Sequence, residues 1–198
     1  MKSDIILAGV GGQGILSIAA TIGMAALENH LHLKQAEVHG MSQRGGAVQS
    51  HLRISENEIA SDLIPLGKAD LIISVEPMES LRYLPWLKED GWLVTNTTPF
   101  VNIPDYPDMK ELLAEIEKLP HHIAINSDEI ARQVKSPRSS NIVMLGASSP
   151  FLDIPYESLE IGIKKIFGKK GEKVVQLNMD ALKAGREFAL EHTPVGSR

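Results

Sequence analysis

The segment DIILAGVGGQGI, residues 4–15, predicts a strand, a glycine-rich turn and the start of a helix in immediate succession. Asp4–Val10 is a short, almost wholly apolar run, which is typical of a buried parallel strand. Beyond the turn, apolar side chains recur at the three- and four-residue spacing of one helix face. They are Ile15, Ile18, Ala19, Ile22 and Ala26. The N-terminal part of the chain therefore predicts an α/β fold.

The glycines of this turn, Gly9, Gly11 and Gly14, have the spacing Gly-x-Gly-x-x-Gly. Glycine permits a tight turn, and the following helix directs free N–H groups at any anion placed there. Three interpretations stay open: a nicotinamide or flavin site, helix–strand packing without a ligand, or binding of another phosphate-bearing ligand or partner chain. A nicotinamide site would use Glu37 as its ribose-binding carboxylate, because Glu37 follows Gly14 by about 20 residues at the end of a predicted strand.

A second glycine-rich segment, residues 37–46 with the sequence EVHGMSQRGG, lies between two predicted strands, Leu33–Val38 and Ala47–Ile54. The second of these strands alternates apolar and polar residues and is predicted to be half-buried. No helix fits between the two strands, which indicates a hairpin-like extension of the sheet. The last five residues of the segment provide one fixed cation, two uncharged donors and two glycines, which suit binding of a carboxylate, a phosphate or a partner's backbone. These residues are Ser42, Gln43, Arg44, Gly45 and Gly46.

The rest of the chain alternates strands and helices. Strands are predicted at 57–64, 70–75, 92–96 and 122–125, with a turn at Asp90-Gly91 before the third of these. Helices are predicted from Pro77 to about Pro85, and at 110–118, 141–147, around 159–167 and 172–191. Asn126 or Ser127 is expected to cap a further helix after the strand at 122–125. This order predicts a Rossmann-like layered fold with a mostly parallel sheet, in one domain over residues 1–198. Residues 193–198 are expected to form a frayed tail.

Composition narrows the possible functions. The 198 residues have a net charge of -5 and contain no cysteine, so neither a nucleic-acid partner nor thiolate-ligated iron–sulfur clusters are expected. No apolar run of membrane-spanning length and no signal-peptide pattern occurs, so we expect a cytoplasmic protein without a membrane partner. The histidine pairs lack a third ligand, so no metal site is predicted. The lysine pairs 164–165 and 169–170 are expected to be a solvated helix end.

The two glycine-rich segments together resemble those of gamma-type subunits of 2-oxoacid:ferredoxin oxidoreductases. The form EVHGMSQRGG is similar to the indolepyruvate branch of that family, whose small subunit is called beta. The likeness continues through Ser74–Pro77 and Asn141–Ala147 and spans most of the chain.

The resemblance implies a subunit that supports coenzyme A-dependent oxidative decarboxylation of aryl pyruvates. A large alpha subunit is then expected to carry thiamine diphosphate and iron–sulfur clusters and to pass electrons to ferredoxin. The isolated chain is expected to be inactive, and no catalytic residue is assigned. Coenzyme A or the alpha subunit is expected at the two glycine-rich segments. The alternatives are a stand-alone Rossmann-like NAD(P)-binding reductase or ligand-binding domain, or an interaction module without a ligand. The expected binding residues are Gly9, Gly11, Gly12, Gln13, Gly14, Ser42, Gln43, Arg44, Gly45 and Gly46.

Overall fold

A computed structural model describes residues 1–40 and 45–193. Six strands are formed by Lys2–Val10 (β1), His32–His39 (β2), Ala47–Ser55 (β3), Ala69–Ser74 (β4), Leu87–Asn96 (β5) and His122–Ile125 (β6). Seven α-helices are formed in this part by Ile15–Glu28 (α1), Pro77–Arg82 (α2), Met109–Glu117 (α3), Ser127–Gln133 (α4), Ser140–Ser148 (α5), Tyr156–Phe167 (α6) and Glu172–His192 (α7). The alternation of strands and helices confirms the predicted α/β class.

The six strands form one sheet in the order β2-β3-β1-β4-β5-β6. Strands β1, β4, β5 and β6 are mutually parallel, whereas β3 runs antiparallel to both β1 and β2. This arrangement confirms a mostly parallel sheet with a hairpin extension. The prediction of a buried parallel strand for β1 is only partly confirmed, because β1 has the parallel strand β4 on one side and the antiparallel strand β3 on the other.

Helices cover both faces of the sheet, and β1 contributes to both cores. Ile5 and Leu7 pack in a large core with α1, α5, α6 and α7. Ile6 and Ala8 pack in a smaller core beside α2 and α3. A strand that is covered on both faces has apolar residues pointing to both sides, which explains the continuous apolar run in the sequence of β1.

The prediction of a strand at 57–64 is wrong. Side chains of β3, and not a neighbouring strand, form hydrogen bonds with the backbone of this segment. Arg53 Nη1 donates to the carbonyl oxygens of Ser61 and Leu63 at 3.0 Å each. The N–H of Ile64 donates to Nδ1 of His51 at 3.0 Å.

The predicted alternation in β3 is confirmed, since Val48, Leu52 and Ile54 are buried whereas Gln49 and Arg53 are half-buried. His51 departs from the alternation, because it is buried as well.

The predicted turn at Asp90-Gly91 is also wrong, since both residues lie inside β5. A shift in the pairing of β4 with β5 occurs beside them, between Ala69 and Leu71. A Cβ atom at Gly91 would lie 3.0 Å from the carbonyl oxygen of Ala69. The glycine therefore permits a close approach of two strands rather than a reversal of the chain.

Helix ends follow the predicted signals with small differences. Pro77 is the first residue of α2, which ends at Arg82, short of Pro85. The side chain of Asn126 caps α4 by accepting a hydrogen bond from the N–H of Glu129 at 3.0 Å. Thr193, expected to begin a frayed tail, donates its hydroxyl to the carbonyl of Ala189 at 2.6 Å. Residues 194–198 lie outside the described part of the chain.

Strand order argues against a nicotinamide site of the usual kind. In such a site the strand after the glycine turn and its helix lies parallel to the first strand, and its carboxylate faces the ribose. Here β2, which contains Glu37, has the same direction as β1 but is an edge strand separated from β1 by β3, which is antiparallel to both. The pair of adjacent parallel strands that would bring Glu37 beside the glycine turn is therefore not formed.

Candidate functional site

The glycine turn closes on itself between β1 and α1. The N–H of Val10 donates to Oε1 of Gln13 at 2.7 Å, and the N–H of Gln13 donates back to the carbonyl of Val10 at 3.2 Å. Nε2 of Gln13 also donates to the carbonyl of Val75 at the end of β4, at 3.3 Å. Gln13 thus joins the ends of two strands, and its side chain is occupied by backbone partners.

Three glycines of the turn, Gly9, Gly12 and Gly14, are required or tolerated for different structural reasons. A Cβ atom at Gly9 would lie 2.4 Å from Cγ2 of Val75, so the strand requires glycine there for packing. Gly14 precedes α1 with a φ of +82°, and a Cβ atom there would lie 2.6 Å from Nδ2 of Asn141. Gly12, with a φ of +102°, faces open space. Of the three, only Gly12 leaves room for an incoming group.

The structure brings the two glycine-rich segments together. The N–H of Gly11 donates to the carbonyl of Gly46 at 2.9 Å. The neighbouring carbonyl of Gly45 accepts a hydrogen bond from Nδ2 of Asn102 at 2.6 Å. The other predicted ligands of this segment, Ser42, Gln43 and Arg44, lie outside the described residues. Their part in a site stays a prediction.

The backbone N–H groups of the glycine turn differ in whether they are free to bind an anion. The N–H of Gly11 already donates to Gly46 in the second glycine-rich segment, and the N–H of Gln13 donates to Val10 within the turn. The N–H groups of Gly12 and Gly14 have no hydrogen-bond partner among residues 1–40 and 45–193. The first turn of α1 has no acidic residue, and no side chain caps it. The positive end of this helix is therefore uncompensated by the residues around it.

A cleft of about 800 Å³ opens beside this helix end. One wall is the glycine turn, and the others are residues 135–141 and the start of α7. Lys135, Arg138 and Lys170 line it, and no carboxylate side chain is found among its described lining residues. Three cations and two free amides that line the same cleft favour a ligand with several negative charges.

The cationic wall is held in place by buried polar contacts. The hydroxyls of Ser136 and Ser139 are 2.6 Å apart, and Ser139 donates to Oδ1 of Asn178 at 3.1 Å. Nδ2 of Asn141 donates to the carbonyl of Gly14 at 3.1 Å and joins this wall to the glycine turn. The cations are thus attached to a defined scaffold.

A smaller cleft of about 380 Å³ adjoins the first, because Gln13, Ser140 and Asn141 line both. It lies at the carboxyl ends of the parallel strands, where open α/β sheets bind ligands. Ser127 lines it, and its hydroxyl oxygen is buried with no hydrogen-bond partner in the described part of the chain. A buried hydroxyl is normally paired, so this oxygen marks a place where a polar group of a ligand would be stabilised.

None of the three cations of this wall was predicted from the sequence as a site residue. Lys135 and Arg138 are three residues apart in a Ser- and Pro-containing loop, which was the available signal. Lys170 was expected on a solvated helix end, yet it lines the larger cleft. From the sequence, Ser127 is predicted only as a helix cap. These side chains become neighbours of the glycine turn only through the packing of α5 and α7.

Neither a metal site nor a membrane-spanning helix is found in the described part of the chain. No group of three or more His, Cys, Asp or Glu side chains that could hold a metal ion is found among them. Likewise, none of the helices in residues 1–40 and 45–193 combines the length and apolarity needed to cross a bilayer.

Comparison with known proteins gives a consistent result. The family model described as pyruvate ferredoxin/flavodoxin oxidoreductase matches residues 4–188. A curated relative, indolepyruvate oxidoreductase subunit IorB from Archaeoglobus fulgidus, is 35% identical, with 98% of each chain covered.

Two solved structures share the fold. The gamma subunit of a keto/oxoacid ferredoxin oxidoreductase from Geobacter sulfurreducens has a TM-score of 0.71 at 26% identity, and 96% of this chain matches 99% of that one. A 2-oxoglutarate:ferredoxin oxidoreductase from Magnetococcus marinus, solved with 2-oxoglutarate, coenzyme A and succinyl-CoA, has a TM-score of 0.76 at 25% identity. The match covers 97% of this chain but spans only 32% of that longer polypeptide.

Proposed function

Because this chain belongs to the pyruvate ferredoxin/flavodoxin oxidoreductase family, we propose that it is the small subunit of an indolepyruvate oxidoreductase. The observation that carries the proposal is the likeness to a curated small subunit over nearly the whole of both chains. The contact between Gly11 and Gly46 supports it, since it joins the two segments on which the resemblance rests. One domain over residues 1–198 is part of the same proposal.

The redox centres are proposed to lie on a larger partner. Iron–sulfur clusters of this kind are held by cysteine thiolates, and the chain has no cysteine. Thiamine diphosphate, which acts as an electron sink after loss of CO2, is assigned to the same alpha subunit. The complex would oxidise aryl pyruvates and pass electrons to ferredoxin, in the cytoplasm.

Coenzyme A is the proposed ligand of the larger cleft. Its phosphates match the three cations Lys135, Arg138 and Lys170, and the free amides of Gly12 and Gly14 add uncharged donors. The less charged arm of the molecule carries amides, which suit the unpaired hydroxyl in the smaller cleft. The chain would thus hold and orient the acyl acceptor, while bond making occurs on the partner.

Reconstitution tests the proposed function. The chain alone should show no indolepyruvate-dependent reduction of ferredoxin. Activity should appear when it is combined with a thiamine- and cluster-bearing large subunit, and it should require coenzyme A. A complex that is fully active without this chain would contradict the proposal. So would tight binding of NADH by the isolated chain, seen as a fluorescence change.

Replacing Arg138 with alanine should raise the KM for coenzyme A about 10- to 100-fold, since one charge-assisted contact contributes roughly 1.5–3 kcal/mol. The KM for the oxoacid should stay unchanged. Lys164→Ala is the matched control, because this exposed cation of α6 does not line either cleft. Equal coenzyme A KM values for Arg138→Ala, Lys164→Ala and the wild type would refute the assignment of the cleft. Arg44→Ala, measured in the same series, tests the predicted contribution of the second glycine-rich segment.

A further inference from the structure

Large apolar side chains are exposed at one short loop near the clefts. Phe100 and Ile103 are 41% exposed and Val101 is 68% exposed. We call residues 100–103 the apolar tip. Three large apolar residues within four positions form a local patch rather than the scattered exposure that is ordinary on a protein surface.

The apolar tip is held from beneath by a buried carboxylate. Glu76 is fully buried, and its Oε1 accepts hydrogen bonds from the N–H of Phe100, at 3.3 Å, and from the hydroxyl of Tyr106. Its Oε2 accepts from the N–H of Glu79 at 2.9 Å. Phe100 and Tyr106 are therefore both bound by the residue that immediately precedes α2.

A further contact fixes the tip beside the candidate site. Asn102 donates to the carbonyl of Gly45, next to the residue that binds the glycine turn. Phe100 lines the smaller cleft. A surface seated on the apolar tip would consequently cover the mouth of that cleft and lie close to Gly12.

We propose that the apolar tip is the docking surface for the large catalytic subunit, against an apolar area with a basic border. The proposal rests on the proposed function, which supplies the partner. The basic border follows from charge, because residues 97–108 include Asp105 and Asp108 and no lysine or arginine. A second copy of this chain is a poorer occupant, since a two-fold contact between identical patches would bring acidic residues together.

Preorganisation explains why the tip suits this role. Ordering a loop on binding costs free energy, and a loop already held by Glu76 avoids most of that cost. Docking there would also place groups of the partner beside the cleft proposed for coenzyme A, so the acyl acceptor would enter a site completed by both chains.

The test is the double substitution Val101→Ser with Ile103→Ser, compared with Leu63→Ser with Leu66→Ser. The control residues are 53% and 63% exposed and lie on a different loop. Sedimentation velocity gives the dissociation constant for the large subunit, and the melting temperature of each free chain reports folding. We expect the dissociation constant to rise tenfold or more for the tip variant, with unchanged control affinity and unchanged melting temperatures.

Several results would overturn the docking proposal. One is wild-type affinity in the tip variant, and another is an equal loss in the control. A third is a homodimer of the wild-type chain that the tip substitutions abolish. Failure of the wild-type chain to assemble with any thiamine- and cluster-bearing subunit would refute the proposed function itself, and it is recognised before any variant is made.

Discussion

Replacing Gly146 with alanine is expected to lower the free energy of unfolding by about 3 kcal/mol or more, the upper range for overpacking a core. A Cβ atom at this position would lie 2.0 Å from the carbonyl oxygen of Leu182 and 3.1 Å from the N of Arg186. Both neighbours are backbone atoms of α7, so no side chain can turn aside. The two helices would have to separate, which would open the core around them.

A glycine of α7 that packs against the backbone of α5 leads to the same expectation. A Cβ atom at Gly185 of α7 would lie 2.0 Å from the carbonyl oxygen of Val143 in α5. Each helix therefore has one glycine where the backbone of the other passes. Because residues 135–141 and the start of α7 form walls of the larger cleft, separating these helices should also weaken coenzyme A binding.

Urea unfolding of the free chain measures this effect, with Gly168→Ala as the control. Gly168 has a φ of -54°, and nothing lies within 4 Å of a Cβ atom placed there. Alanine at that position should change the unfolding free energy by no more than about 1 kcal/mol, in the stabilising direction. Similar unfolding curves for both variants would show that α5 and α7 do not cross as closely as the structure has them.

Replacing Arg53 with methionine is expected to cost about 3–5 kcal/mol of stability at neutral pH, because it leaves a buried carboxylate without its main partner. Asp4 is 1% exposed at its side chain, and its Oδ1 accepts from Nε of Arg53 at 2.7 Å. Nη2 of Arg53 donates to Oδ2 at 3.1 Å. The same guanidinium holds the carbonyls of Ser61 and Leu63, so the loop at 57–64 should loosen as well.

An exposed ion pair provides the matched control. Lys118 and Glu115 are 67% and 57% exposed at their side chains. Lys118→Met removes a cation in the same way as Arg53→Met, but pairs at the surface contribute only about 0–1 kcal/mol. Equal losses for the two variants would mean that the Asp4–Arg53 pair is not protected from solvent.

The cost of Arg53→Met should also depend on pH. Burial by itself would raise the pKa of Asp4, but hydrogen bonds from Arg53 and Lys2 outweigh burial and hold the pKa below its usual value. The wild-type pair therefore stabilises the fold above the usual pKa of about 3.9 and loses this contribution as pH falls through the lower folded-state value. The difference between variant and wild type should be largest near pH 7 and shrink below about pH 4.

Local elements were predictable because their signals lie within a few residues of one another. The stripe from Ile15 to Ala26 specifies α1, and Pro77 and Asn126 mark the starts of α2 and α4. The two errors, at 57–64 and at Asp90-Gly91, depend on residues distant in sequence. Arg53 and His51 bind the first segment, and the approach of Ala69 explains the second.

The candidate site likewise has one part that was predictable from the sequence and one part that was not. The glycine turn and its helix follow from the spacing of Gly9, Gly11 and Gly14, and family likeness adds the second glycine-rich segment. The cations Lys135, Arg138 and Lys170 are more than 100 residues away along the chain, and no pattern in the sequence joins them to the turn.

The sequence by itself determined the α/β class, the positions of most strands and helices, and the two glycine-rich segments that mark the candidate site. It did so because periodic burial and helix-end chemistry act over a few residues. Only the tertiary structure decided that β3 lies between β1 and β2, that Gly11 contacts Gly46, and that a cationic wall faces Gly12. These depend on strand order and on the close packing of α5 against α7, and such long-range contacts arise from the packing of the whole domain.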